Sequence, residues 1–197
     1  MQRLLLATLL LLAGCGATAP AGSPVSDGGL RWGDGPYGLV LVPDAGRDAA
    51  SWSAEASTLA DDGMTVVAVD SSDATAIEAA LRYLLETRGL DRAALLGAGA
   101  GADSAIAVAA ERPELVDQLI VLSASGDVSA LGDMPKLFVA SSGEQAAADA
   151  TRMANQASGQ WNELYLAEGD ASGQAILAGD GRAGTMDAIL RRLDERR

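Results

Sequence analysis

Any chemistry in this chain has to come from serines, carboxylates and backbone, because the 197 residues include no histidine and a single cysteine. Histidine is the side chain that ordinarily titrates near neutral pH and the commonest metal ligand, so the usual general base and most transition-metal sites are excluded. One cysteine, Cys15, excludes an internal disulfide and cysteine-based clusters. Ser104, Ser141, Ser142 and Ser172 are candidate nucleophiles, but a serine hydroxyl needs a base to take its proton. The only lysine, Lys136, opens an apolar run and so belongs to the far end of its strand. Asp44, Asp70, Asp103 and Glu144 can approach one edge of a sheet, where carboxylates could do acid-base work or hold a hard cation such as Ca²⁺. Strand ends also collect aspartates for turns. No resident metal and no cofactor is expected.

The string Gly97-Ala98-Gly99-Ala100-Gly101-Ala102 satisfies G-x-G-x-x-[G/A], the phosphate-cradling turn of dinucleotide sites. Such a site expects an acidic residue about 20 positions on, at the end of the next strand, to hold the ribose. Here that strand ends in Leu122-Ser123-Ala124, and two strand-helix units precede the glycines, so dinucleotide binding is the weaker reading.

The elements that must carry these residues are short apolar runs alternating with amphipathic stretches. The runs are Gly38–Val42, Met64–Val69, Ala93–Leu96, Gln118–Leu122, Lys136–Ala140 and Glu163–Leu166, which predict about six strands. Helices are predicted over 49–62, 74–88, 102–112, 144–157, 173–179 and 185–196. Runs this continuously apolar suit a mostly parallel sheet covered on both faces, and the alternation indicates an α/β three-layer sandwich. Pro113 and Pro135 fall at element boundaries, where a missing amide does little harm.

Val40-Leu41-Val42-Pro43-Asp44-Ala45-Gly46, then Gly63 to Asp70, resemble the opening of an α/β-hydrolase core. Leu90 to Gly101, the helix through Ala110 and the run Glu111 to Ser123 are similar to that family's elbow strand, elbow helix and following strand. Pro135 to Ser142 resembles the strand that ends in the catalytic acid, and Leu164 to Ile176 the last strand and histidine loop. The likeness runs through residues 37–197, the expected domain, without the lid segment of many relatives. It implies a G-x-S-x-G elbow, whose tight turn pushes a serine toward substrate. Gly99 occupies that central position, the histidine falls most naturally at Ser172, and the nearest carboxylate for the acid is Glu144. The triad is thus degenerate. By the same resemblance, the backbone amides of Ala45 and Ala100 stand where the family builds its oxyanion hole. Asp44, Ala45, Gly99, Ala100, Glu144 and Ser172 are therefore the candidate pocket residues, with a small molecule or an envelope protein as expected partner. A hydrolase working through a non-standard site is the alternative.

Residues 1–14 combine an early arginine, an apolar run from Leu4 to Ala13 and small residues, the pattern of an export signal too short to span a bilayer. Cys15 follows Leu12-Ala13-Gly14, which resembles the lipobox of bacterial lipoproteins and implies lipidation of the thiol and anchoring to a membrane of the cell envelope. Residues 15–36 read as the lipidated cysteine and a flexible tether, rich in Ala, Gly, Ser, Pro and Asp. A formal charge of −13 repels phosphate backbones and argues against nucleic acid as a partner. The arginines 191, 192, 196 and 197 suit the negative end of a terminal helix.

Overall fold

The computed structural model describes residues 21–25 and 28–196; the leader and Cys15 lie outside them. In chain order come β1 (Ser23–Pro24), β2 (Leu30–Trp32), β3 (Tyr37–Val42), α1 (Ser53–Asp61), β4 (Met64–Ala68), α2 (Ala74–Arg82) and β5 (Ala93–Ala98). They are followed by α3 (Ala100–Glu111), β6 (Gln118–Leu122), β7 (Lys136–Ser141), α4 (Ala146–Gln156), β8 (Asn162–Ala167) and α5 (Arg182–Asp194). All six apolar runs are strands, and all are mutually parallel where they pair. Short 3₁₀ helices at Ala49–Trp52 and Gly173–Ala178 fill out the predicted helices.

The sheet has eight strands in the order β1-β2-β4-β3-β5-β6-β7-β8, two more than the sequence suggests. Both additions, Ser23–Pro24 and Leu30–Trp32, fall within the stretch 15–36 read as tether. Leu30, Arg31 and Trp32 pair antiparallel with Ala68, Val67 and Val66, and Trp32 is buried. Three residues are too few to show an alternation, and a buried tryptophan at the sheet edge supplies the missing driving force.

Side-chain alternation along the strands sends Val40, Val42, Val67 and Leu95 to one face, where they meet Ile77, Ala105 and Met153 from α2, α3 and α4. Leu39, Leu41, Val66 and Leu96 point to the other face, against Leu59, Ile189 and Leu193 from α1 and α5. Both faces being covered explains why the strands read as uninterrupted apolar runs. Residues 123–135, between β6 and β7, contain no helix. Among the described residues no helix is long and apolar enough to cross a membrane.

Candidate functional site

Three glycines shape the turn from β5 into α3, each for a separate steric reason. A Cβ at Gly97 would stand 2.5 Å from the Gly101 carbonyl oxygen and 2.7 Å from Ala102 Cα, and one at Gly101 would stand 2.3 Å from the Pro43 carbonyl oxygen. Those two let α3 lie close against the strand ends. Gly99 between them has φ 52° and ψ −121°, a conformation costly for any residue with a side chain. Its amide donates to the Leu122 carbonyl at 2.9 Å, and its carbonyl accepts from Ala102 at 3.0 Å, so the bend is pinned on both sides. The glycine string therefore has a full account in packing and backbone geometry.

Above Gly99 lies the side chain of Asp44, brought there by the end of β3. Its Oδ1 accepts from the amide of Ala45 at 2.7 Å and from that of Ala100, the first residue of α3, at 3.3 Å. The three heavy atoms nearest to a Cβ built on Gly99 all belong to this carboxylate, Oδ1 at 2.0 Å among them. Gly173, after β8, approaches from the other side, and a Cβ there would stand 2.2 Å from Asp44 Oδ2. Asp44, Ala45, Gly99 and Ala100 are thus brought together. The position facing them from the loop after β8 is Gly173 and not Ser172, which is exposed and caps no amide with its side chain.

Glu144 stands beyond β7. Its Oε2 accepts from the Ser123 hydroxyl at 3.0 Å and the Ser141 amide at 3.2 Å, while Oε1 is buried without a partner. The Ser123 hydroxyl in turn accepts from the Gly173 amide at 2.7 Å, so one serine ties together the ends of β6 and β7 and the loop after β8. Ser123 has φ 55°, the one non-glycine among the described residues with positive φ. Sequence reasoning missed it: its only signal is a position at a strand end, which it shares with many structural serines.

The other carboxylates are spent on loops. Asp103 accepts from the amides of Ser125 at 2.7 Å and Gly126 at 2.9 Å, and Asp70 from that of Ala49 at 3.3 Å. Among the described residues no three His, Cys, Asp or Glu side chains converge to hold a metal ion. Lys136 is fully buried at the opposite end of the sheet, donating to the carbonyls of Gly132, Met134 and Ser158 at 2.7, 2.6 and 2.8 Å. A cavity of about 300 Å³ opens at that same far end, bounded by Pro135, Trp161, Arg192, Glu195 and Arg196.

A mostly parallel eight-stranded sheet with helices on both faces and a glycine-tight elbow between β5 and α3 defines an α/β-hydrolase fold. Solved structures agree. The chain superposes on a Paleococcus ferrophilus monoacylglycerol lipase with a TM-score of 0.69 at 11% identity, covering 85% of this chain and 98% of that one. With a structure from the work on LipS and LipT, two metagenome-derived lipolytic enzymes, the TM-score is 0.68 at 12% identity over 88% and 99% of the two chains. With a CIB-like hydrolase of Thermoplasma acidophilum it is 0.60 at 19% identity over 79% and 86%. The sequence matches no protein-family model and, at a significant level, no curated protein.

Proposed function

We propose that this is a lipid-anchored protein of the bacterial cell envelope whose α/β-hydrolase domain is catalytically degenerate and serves to bind a small molecule or another envelope protein. The observation that carries this reading is the bend at Gly99, which keeps the elbow's geometry and projects no side chain from it. An acyl-enzyme needs a nucleophile at that point and a base beside it. The facing residue is Gly173, and the chain has no histidine to stand there. Glu144 keeps the place of the acid, but its oxygen Oε2 is occupied by Ser123 and Ser141. Support for the anchor comes from the leader and from Cys15 behind Leu12-Ala13-Gly14.

The alternative, a hydrolase with a non-standard site, draws on Ser123, whose hydroxyl donates to a carboxylate from a strained backbone. Incubation with a fluorophosphonate probe followed by intact-mass measurement separates the two. No adduct is expected; an adduct mapped to Ser123 would overturn the degenerate reading. Expression in a bacterial host with labelled palmitate tests the anchor: label and membrane fractionation are expected for the wild type and lost in Cys15→Ala.

A further inference from the structure

Asp44, Gly99 and Gly173 crowd one another at the elbow. The Asp44 carboxylate lies where a side chain at 99 would begin, and its second oxygen lies where a side chain at 173 would begin. We propose that Asp44 is a built-in plug: its carboxylate closes the elbow site by occupying the amides of Ala45 and Ala100, and it fits only because positions 99 and 173 carry no side chain. Asp44, Gly99 and Gly173 are therefore one coupled unit.

The energetics follow from which atoms meet. A carboxylate is the far end of a rotatable side chain, so a methyl group at 99 would evict it rather than force the backbone apart. Eviction breaks two hydrogen bonds to an ionised acceptor, the stronger kind of hydrogen bond, and leaves the first amide of α3 without its partner. The positive φ of Gly99 adds a strain of its own, and that strain is present whatever stands at position 44. The two costs separate in a double-mutant cycle, because only the first vanishes when the plug is gone. While the plug is in place, a ligand carbonyl or carboxylate finds both amides taken, so an ester carbonyl has no polarising site here even before the missing nucleophile is considered.

The test is a thermal-unfolding cycle on the full chain. Gly99→Ala is expected to lower Tm by about 5 °C more in the wild-type background than in Asp44→Gly. Asp44→Asn, which keeps the shape and one acceptor oxygen, should retain most of that coupling. A Gly99→Ala that folds only alongside Asp44→Gly is the extreme form of the same result. Gly173→Ala should show coupling of the same sign. Amide hydrogen exchange gives a second reading: Asp44→Gly should lose protection at Ala45 and Ala100 and leave the centre of β5 unchanged. Additive Tm shifts, or unchanged protection at those two amides, would overturn the proposal. Neither result would touch the absence of a nucleophile at Gly99, so this inference can fail while the degenerate reading stands.

Discussion

The two ends of this parallel sheet are built on opposite plans. At the amino ends of the strands long polar side chains are buried and hydrogen-bonded: Lys136 reaches three carbonyls, and Tyr37 donates to Asp117 at 2.9 Å while accepting from Gln118 at 2.7 Å, although Gln118 Oε1 has no partner. At the carboxyl ends, where open α/β folds keep their chemistry, the central positions are Gly99 and Gly173, and the side chains of Asp44, Ser123 and Glu144 each accept from a backbone amide. One end is held chiefly by long buried side chains, the other by backbone turns and the side chains that pin their amides. Side chains at the carboxyl ends can therefore be exchanged more freely than the polar groups buried at the amino ends. What cannot change at the carboxyl ends without cost is the curvature of the chain.

The largest effect is expected from Lys136→Met. The substitution keeps length and apolar stem but takes the donor from three part-buried carbonyls, and it should cost about 4 kcal/mol in urea unfolding. Burial already pulls the lysine below its ordinary pKa, so part of the ammonium's worth is offset by its own desolvation. A near-neutral result would mean that the amino end is not where stability resides. Next comes Gly97→Ala, at the other end. Its Cβ meets backbone atoms of α3 that cannot rotate away, so strand and helix must separate, at a cost of about 3 kcal/mol. A loss that size from adding one methyl group would sharpen the contrast: the carboxyl end is intolerant in its backbone.

Tyr37→Phe should cost about 1–2 kcal/mol, since it leaves the Gln118 amide and the Asp117 carboxylate short of a partner. It also carries a pH signature. Burial, reinforced by the neighbouring Asp117 charge, raises the Tyr37 phenol above its ordinary value, against the hydrogen bond from Gln118. The folded chain therefore keeps a proton that the unfolded chain releases, and stability is complete below about pH 10 and falls as pH rises beyond it. Urea midpoints measured on either side of that pH should fall more steeply for the wild type than for Tyr37→Phe. Equal slopes would remove Tyr37 from the buried network.

How legible each end was in the sequence follows the same division. The six long strands announce themselves because both faces are covered and every residue from Tyr37 to Val42 is buried. Asp44, Gly99 and Glu144 could be placed because each follows a strand whose end is easy to find. The loop after β8 has no periodicity, so only the backbone geometry shows that Gly173, next to the exposed Ser172, lies against Gly99. The plugging of the elbow by Asp44 was invisible for a physical reason: it depends on a side-chain direction across two strands, which no one-dimensional pattern encodes. Arg192 was legible as charge and misleading as to surroundings, since it is buried against Glu163 and Glu195 rather than solvated at the helix end.

The smallest effect is expected from Glu144→Gln. The amide side chain keeps an oxygen to accept from Ser123 and Ser141, and places its NH₂ where the unpartnered Oε1 now lies. Exchanging one buried unsatisfied group for another of the same shape should leave stability within about 1 kcal/mol, and fluorophosphonate reactivity unchanged at none. The acid of a working triad behaves otherwise, because its charge is needed to orient and stabilise a protonated base. If Glu144→Gln proved as damaging as Lys136→Met, the carboxylate's charge would be holding something in place at the carboxyl end. The division into one end held chiefly by long buried side chains and one held by backbone turns would then have to be redrawn with Ser123 and Glu144 on the side-chain side.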